Sequence, residues 1–425
     1  MMLRNIMTFM TVISLCACSQ YENMDIVINK NNPNQNETIS INEALMSLEN
    51  VLEETSIKTK TTLQNISPND IFVIGAKTLN IETRSDEATP VPDTLLYALN
   101  FEDGGFSILS ANTKLNSSVL CITEYGEITP ECIMAGLSLL EGTNTSSYST
   151  VQEEEIDKGI NIEAGKDYLY SLLISNVILD YFDNKSISDK EPTTKESIIG
   201  PIGPLVQTKW GPQDPIDKYQ SIPGCGVIAA GQIMACNEYP STSVFSSVTA
   251  GWSIIKTVLP SSDYTNKGTS YAQDQVARFI EELANSDNCD VASDGSVDVN
   301  NVRDTFRKYG YNVTKRLGCG NGDIDKITEH LIQKKSPIYM RGQRQDNFSE
   351  QQVAHAWIID GLSSGMFHIN WGWNGDADGY YAKGIFDTAS LNSFDSTDTG
   401  VNTYVGYDAR DYYHYFRILL ITEPN

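Results

Sequence analysis

The segment at residues 223–234, PGCGVIAAGQIM, constrains the fold of this chain more than any other. Pro223 and Gly224 are typical of a tight turn, and the residues that follow are almost all small or apolar. A helix that is apolar on every side has to be enclosed by the rest of its domain. We therefore predict a buried helix that begins at Cys225 and packs tightly against its neighbours.

A cysteine at the start of a helix is suited to nucleophilic chemistry. The unpaired N–H groups and the helix dipole stabilise a thiolate there, so we expect the pKa of Cys225 to be lowered. The alternative is a buried structural cysteine, which is the commoner fate of a single cysteine. A thiol nucleophile also needs a base, and the chain has only four histidines to supply one.

His355 is the best placed of these histidines. It lies in an apolar, strand-like run, and the next strand ends in Asn370 and two tryptophans, so the two runs predict a hairpin around turn residues 362–365. In the register that we predict, His355 faces Gly372 and Asn370 is its diagonal neighbour on the same face, where it could orient the imidazole. A shift by one residue would put Asn370 on the other face. The alternative for His355 is a satisfied core histidine.

The other three histidines compete poorly for a catalytic role. We expect His330 on a surface helix, His368 near the turn of the hairpin, and His414 in a packed aromatic strand.

Residues 1–18 predict an export signal. Arg4 precedes an apolar run at residues 6–17, which is shorter than the roughly 20 residues needed to span a bilayer. The run ends in LCACS, similar to a bacterial lipobox with Cys18 as the lipid acceptor; an ordinary secretory signal is the alternative. We therefore expect an exported lipoprotein, anchored in the outer membrane by acyl chains on Cys18 and facing the periplasm or the cell surface, with residues 19–40 as a polar tether.

Six cysteines remain once Cys16 and Cys18 are set aside. Cys225 and Cys236 cannot pair if they share a helix, because about 16 Å would separate them. Cys121–Cys132 and Cys289–Cys319 are possible pairs, but six cysteines allow 15 connectivities and the sequence assigns none. No CxxC motif is present, so we expect neither a zinc site nor any other metal or cofactor.

The chain divides at a polar, aperiodic stretch, residues 183–197, which predicts an exposed linker and a cleavage site within 183–204. Before it, we predict a helix at 41–52, a hairpin around a Gly-Gly turn within 94–128, and a helix at 168–182. The formal charge of −25 also divides unevenly, with −18 on residues 19–200 and −8 on residues 201–425. Such an acidic chain is a poor candidate for binding nucleic acid.

Several motifs resemble one known family. Cys225 with Gln232-Ile233-Met234, His355-Ala356-x-x-x-Asp360-Gly361 and Asn370-Trp371-Gly372-Trp373 are similar, in order and spacing, to the streptopain family of papain-like cysteine peptidases. The stretch at residues 97–111 resembles the prosegment of that family more loosely.

The resemblance implies an α+β, papain-like fold, in which the helix that carries the cysteine packs on an antiparallel sheet. It implies a cysteine endopeptidase that cleaves proteins or peptides, with Cys225 as nucleophile, His355 as general base and acid, Asn370 orienting His355, and Trp371 shielding that pair. It also implies a zymogen, in which residues 41–195 form an α+β inhibitory prosegment and residues 196–425 the peptidase domain.

One departure from the family pattern concerns the oxyanion hole. The position where the family has a glutamine donor falls on Pro212, and Gln213 is one residue late. Either the loop shifts to restore Gln213, or the donor is lost, at a cost of about 10²–10³ in rate.

Two other classes of function stay open. One is a surface lipoprotein that binds a ligand through a catalytically impaired peptidase fold; the other is a Cys–His amidase or transglutaminase. Residues 361–365 match GxSxG, but in a hairpin turn rather than the strand–turn–helix of a serine hydrolase. Residues 374–379 imitate the start of an EF-hand, but the twelfth position is Ile385 and we expect a loop beside the active site instead.

Overall fold

The computed structural model describes most of the C-terminal half of the chain and parts of the N-terminal half. The described residues are 38–55, 71–75, 93–101, 104–113, 115, 117–129, 200–212, 215–220, 223–258, 269–293, 295–317, 321–345, 352–383 and 417–424. The predicted signal, Cys18, the helix at 168–182, the whole linker at 183–197 and His414 lie outside them.

Helices and strands alternate irregularly along the chain. The α-helices are α1 (Ile41–Thr55), α2 (Cys225–Asn237), α3 (Trp252–Ile255), α4 (Ser270–Ala284), α5 (Val299–Lys308) and α6 (Asn321–Lys334). The strands are β1 (Ile71–Ile74), β2 (Leu96–Asn100), β3 (Phe106–Ser110), β4 (Val119–Thr123), β5 (Asn312–Leu317), β6 (Ile338–Gln345), β7 (Gln352–Ser363), β8 (Met366–Asn370), β9 (Gly379–Ala382) and β10 (Arg417–Thr422). Short 3₁₀ turns lie at Ile216–Lys218 and Thr242–Val244.

Within the described residues, one antiparallel sheet contains strands from both regions of the chain, the one before and the one after the predicted linker at 183–197. Its ten strands follow the order β1-β2-β3-β4-β9-β8-β7-β6-β10-β5. The two regions meet where β4 pairs with β9, with Cys121 opposite Tyr381 and Thr123 opposite Gly379. The predicted α+β class, with helices packed on an antiparallel sheet, is confirmed.

The hairpin predicted around the Gly-Gly turn is also confirmed. Strands β2 and β3 pair from Leu96 opposite Ser110 to Asn100 opposite Phe106. Gly104 and Gly105 both have positive φ, at 96° and 85°, a conformation that glycine adopts without steric cost.

Helix α2 is buried as the apolar pattern predicts. Every residue from Gly226 to Ala235 is buried. The core around it includes Val227 and Ile233 of the helix, Phe279 of α4, and Ile358 of β7. Trp357, which precedes Ile358 in β7, lies in a second core on the opposite face of the sheet, so β7 separates the two cores.

Helix α1 packs on the part of the sheet where the two regions join. Its buried residues include Ala44, Leu45 and Leu48, as its helical spacing predicts. They share a core with Ile122 of β4 and Tyr380 of β9, so this core contains side chains from both sides of the linker.

The cysteines of the described residues are free thiols. Cys121 and Cys289 are buried free thiols, and the residues considered as their partners, Cys132 and Cys319, lie outside the described residues. Cys225 and Cys236 share α2, as predicted, and do not pair. Within the ranges given above, no helix is long and apolar enough to cross a membrane.

The shared core gives a first prediction. Replacing Leu48 by alanine removes a fully buried side chain from α1 and should lower the free energy of unfolding by about 2–5 kcal/mol. Met46, on the exposed side of the same helix at 59% exposure, is the matched control, and Met46→Ala should change stability by no more than about 0.5 kcal/mol. Urea unfolding of both variants measures the difference; equal effects would contradict the packing of α1 on the sheet.

Candidate active site

Gly224 fixes the turn that places Cys225 at the start of α2. Its φ is +78°, and a Cβ at this position would lie 2.3 Å from the carbonyl oxygen of Gly295. Any larger residue would meet both backbone strain and a clash with backbone. The turn therefore requires glycine, and Cys225 follows as the first residue of the helix.

The thiol of Cys225 lies against strand β7. Its Sγ accepts a hydrogen bond from the backbone N–H of Ala356 at 3.3 Å. Burial raises the pKa of the Cys225 thiol above its ordinary value, although the Ala356 N–H and the charge of Arg341 act in the opposite direction. The lowered pKa expected at a helix N-terminus is therefore wrong for this conformation, because loss of water outweighs the local dipole.

His355 is enclosed by tryptophan rings. Its imidazole stacks on Trp373 with centroids 4.7 Å apart, and Trp357 and Trp371 lie 6.1 and 6.2 Å away. Its Nε2 is 2.9 Å from the carbonyl oxygen of Trp371. Because a carbonyl only accepts, Nε2 carries the hydrogen. Burial lowers the pKa of His355 to about 4, so the ring is neutral at neutral pH.

The predicted nucleophile, Cys225, contacts the strand that carries the predicted base, His355, but the two side chains are not hydrogen-bonded to each other. Successive side chains of a strand point to opposite faces. Ala356 lies in the core around α2, whereas His355 stacks on tryptophans of the other core. Strand β7 thus reaches Cys225 through its backbone, while the imidazole of His355 is held by Trp371.

The hairpin register differs from the prediction by one residue. The predicted register opposes Trp357 to Asn370, but the structure opposes Ile358 to Asn370. The pairing shifts again between Ile359 and Gly361, and the turn is reduced to Ser364 and Gly365, both at positive φ. Asn370 consequently shares the α2 side of the sheet with Ile358, and the predicted contact with His355 is not formed here.

Asn370 instead belongs to a buried polar network. Its Oδ1 accepts from Gln232 Nε2 and from the N–H of Gly372, both at 3.0 Å, and its Nδ2 donates to the carbonyl of Thr208 at 3.0 Å. Gln232 Oε1 also accepts from Thr208 Oγ1 and from the N–H of Trp210. This network connects α2, the end of β8 and the segment before Gln213.

Gln232 is a site residue to which the sequence analysis gave no role. It is fully buried and the only amide side chain within the apolar stretch Gly226–Ala235. A buried polar group has to be hydrogen-bonded, so its presence in an apolar helix is a signal that the sequence offered.

Trp371 is positioned by the loop that imitates an EF-hand. Its backbone N–H donates to Asp378 Oδ1 at 2.8 Å, and both residues are buried. Burial raises the pKa of Asp378 to about 7, although the charge of Lys209 acts against this. Among the described residues, no group of three or more His, Cys, Asp or Glu is arranged to hold a metal ion.

Of the other histidines, His330 is more buried than predicted, and His368 lies close to the hairpin turn, as predicted. His330 lies on helix α6, but its side chain is 8% exposed and its Nε2 is 3.1 Å from the carbonyl of Ile421, so its predicted surface position is wrong. His368 lies in β8 with Nδ1 2.6 Å from Asp360 Oδ1. His368 therefore takes part in a charged cluster rather than in the candidate site.

Gln213 lies outside the described residues, so the structure gives no position for this oxyanion candidate. In the described segment before it, the backbone N–H of Trp210 donates to Gln232, and a Cβ on Gly211 would lie 2.7 Å from the side chain of Asn374.

The fold is the one predicted for a papain-like cysteine peptidase, with a buried helix that begins at Cys225 and packs on the antiparallel sheet that carries His355. Residues 207–381 match the Peptidase C10 family. This match confirms the predicted resemblance to the streptopain family of papain-like cysteine peptidases.

Individual relatives are distant. Streptopain of Streptococcus pyogenes serotype M28 is 20% identical over 342 residues, which cover 74% of this chain and 79% of the relative. A solved fragment of prointerpain A from Prevotella intermedia covers 78% of this chain and 96% of the fragment, at 16% identity and a TM-score of 0.45. Active interpain A from the same organism, a cysteine protease, covers 52% of this chain and 94% of its own, at 18% identity and a TM-score of 0.36.

The buried network gives a second prediction. Gln232→Ala removes the partner of Thr208 Oγ1 and of the Trp210 N–H, and one of the two hydrogen bonds to Asn370 Oδ1, and should lower the free energy of unfolding by about 3 kcal/mol or more. Gln207→Ala, at an exposed glutamine that donates only to the carbonyl of Pro204, should cost no more than about 0.5 kcal/mol. Urea denaturation compares them, and a small effect at both positions would show that the network is not formed.

The environment of His355 gives a third prediction. Because its pKa is lowered to about 4, the folded state binds fewer protons than the unfolded state between about pH 4 and 6.5. This group therefore makes the free energy of unfolding fall as the pH drops through that window. NMR of ring-labelled histidine should show His355 titrating near pH 4, assigned by loss of the signal in His355→Gln. Titration near pH 6.5 in the intact chain would contradict the tryptophan enclosure.

Proposed function

We propose that the protein is an exported, lipid-anchored cysteine endopeptidase, made as a zymogen and active on proteins or peptides. The observation that supports this best is the position of Cys225: it begins a buried helix within the residues that match the Peptidase C10 family and contacts the strand that carries His355.

The proposed reaction requires His355 to leave the tryptophan rings and approach Cys225. Its imidazole then takes the thiol proton, and the thiolate attacks the peptide carbonyl. The resulting imidazolium gives its proton to the leaving amine, which breaks the C–N bond and leaves a thioester. Water, deprotonated by His355, hydrolyses the thioester and restores the thiol. The backbone N–H of Cys225 would bind the oxyanion, with Gln213 as a second donor if its loop places it there.

The zymogen proposal rests on the state of the site in the intact chain. Cys225 and His355 are bound to backbone groups rather than to each other, and both pKa shifts favour the neutral forms. The N-terminal strands complete the sheet that carries the histidine. A precursor held in this arrangement lacks the thiolate–imidazolium pair, which is what a latent peptidase requires.

We propose that maturation cleaves the chain within residues 183–204. Gly200 and Pro201 are exposed. Ile202 is already held, because its backbone exchanges two hydrogen bonds of 2.8 Å with Leu362. The positions before Ile202 are therefore favoured within that range. Cleavage there would separate the peptidase domain covalently from the proposed lipid anchor on Cys18.

Pro212 favours a second function, a surface lipoprotein that binds its ligand through a catalytically impaired peptidase fold. A proline at the donor position has no side-chain hydrogen-bond donor, which would weaken the oxyanion hole. Amidase or transglutaminase chemistry would also use Cys225 and His355, so the choice of substrate has to separate these reactions.

The fourth prediction tests catalysis directly. After cleavage within 183–204, the protein should digest casein and be inhibited by an E-64-type reagent, and Cys225→Ala should abolish this activity because it removes the nucleophile. Cys236→Ala changes another partly exposed cysteine of the same helix and should leave activity unchanged.

Alkylation separates the peptidase from the impaired binding module. The labelling rate of Cys225 by iodoacetamide should rise after cleavage, by roughly tenfold for each unit by which its pKa falls. Cys236 should stay slow, because burial raises the pKa of its thiol to about 12. A Cys225 that remains unreactive in the cleaved protein would support the binding module, and labelling without casein digestion would support an amidase or transglutaminase.

A further inference from the structure

Glu124 extends from the end of β4 into the C-terminal domain. Its backbone N–H donates to the carbonyl of Asp378 at 2.8 Å, which continues the β4–β9 pairing by one residue. Its Oε2 lies 2.5 Å from Lys209 Nζ, and its Oε1 lies 3.7 Å from His368 Nε2, an ion-pair distance. A single carboxylate of the N-terminal region thus faces two cationic groups across the boundary between the regions.

His368 is held in place by a second carboxylate on its other side. Its Nδ1 is 2.6 Å from Asp360 Oδ1, and Asp360 Oδ2 accepts from the N–H of Val206 at 2.8 Å. The His368 side chain is 5% exposed and that of Asp360 is fully buried. Asp360 therefore fixes the ring so that Nε2 points towards Glu124.

The pKa shifts agree with this geometry. Burial alone would lower the pKa of His368, but the charges and hydrogen bonding of Asp360 and Glu124 raise it to about 10. Burial alone would raise the pKa of Glu124, but its interactions with His368 and Lys209 bring it to about 2. The side chains of Glu124, Lys209 and His368 are therefore all charged at neutral pH.

Removal of Glu124 would leave a positive charge in excess. Of Lys209 and His368, only His368 would then keep a carboxylate of the described residues within ion-pair distance, that of Asp360. The nearby Asp378 has its pKa raised to about 7 and compensates only in part. Two aromatic rings also line the site: the Lys209 Nζ lies 4.3 Å from the centre of the Tyr125 ring, and Tyr380 packs edge-on against His368 at 5.0 Å. A partly buried, uncompensated charge is costly, so the site favours an anion.

The backbone around the site favours an anion that is carried by an extended strand. A Cβ on Gly379 would lie 2.1 Å from the carbonyl oxygen of Ile122, so β9 admits a partner strand in very close contact. Strand β4 uses this edge through Cys121, Ile122 and Thr123, and Glu124 follows directly.

We propose that Lys209 and His368, oriented by Asp360, form a carboxylate-binding site beside the edge of β9, and that its ligand is an acidic side chain on a strand paired with β9. In the intact chain that ligand is Glu124. The inference deepens the proposed zymogen function, on which it rests: after cleavage within 183–204, Glu124 keeps the N-terminal region bound to the peptidase domain without a covalent link.

The test uses the full chain in the Cys225→Ala background, with a specific protease site placed within residues 184–196. After cutting, gel filtration measures how much N-terminal fragment stays with the peptidase domain. Glu124→Gln should weaken retention by roughly tenfold or more, as should Lys209→Gln, and the double variant should be little worse than either, because both remove one interaction. Glu127→Gln, an exposed acid on the same segment, is the matched control and should behave as wild type.

Two outcomes would overturn the proposal. One is that the N-terminal fragment is retained as well with Glu124→Gln as with Glu127→Gln; the other is that the losses of retention caused by Glu124→Gln and Lys209→Gln are additive in the double variant. Because Cys225 is absent, these readouts do not depend on catalysis. Loss of peptidase activity in the native chain would refute the proposed function while leaving the carboxylate site standing.

Chemical rescue supplies a readout for a variant that folds poorly. In Glu124→Ala, acetate should fill the vacated position and raise the melting temperature above that measured with neutral acetamide or with chloride at equal ionic strength. Glu127→Ala and wild type should show no such preference. Equal effects of acetate on all three proteins would overturn the site.

Discussion

The enclosure of helix α2 is the constraint on which the rest of the structure depends. A helix without a polar face has to be covered on all sides, and here the sheet, helix α4 and the segment before Gln213 share that task. Its one buried amide, Gln232, is satisfied by Thr208, Trp210 and Asn370. The packing that buries α2 therefore also fixes the position of Cys225 and its contact with β7.

The chemistry of the site is decided by burial more than by the helix dipole. Loss of water favours the neutral forms of both Cys225 and His355. The Trp371 carbonyl accepts from the neutral imidazole of His355, and the Ala356 N–H can donate to the neutral thiol of Cys225. A thiolate and an imidazolium would stabilise each other if the two side chains met. Activation of the proposed peptidase would thus require a rearrangement of His355, since Cys225 already lies at the first position of α2.

Local patterns in the sequence predicted those features that local patterns determine. The apolar run after Gly224 predicted α2, the Gly-Gly pair predicted the β2–β3 hairpin, and the spacing of Leu45 and Leu48 predicted α1. The register of β7 and β8 could not be predicted, because the irregularity at Asp360 depends on Val206 and His368. The raised pKa of Cys225 and the charged state of His368 likewise depend on residues that lie far away in the sequence.

Strand β9 has a consequence for the behaviour of the separated domain. Gly379 to Ala382 form a buried, largely apolar strand whose outer hydrogen-bonding groups are occupied by β4. If the N-terminal region were lost, β9, which contains Tyr380 and Tyr381, would become an open sheet edge. Open edges of this kind can pair with strands of other molecules and promote aggregation. By covering this edge, the N-terminal region would also keep the peptidase domain soluble, and the domain without it should tend to self-associate through β9.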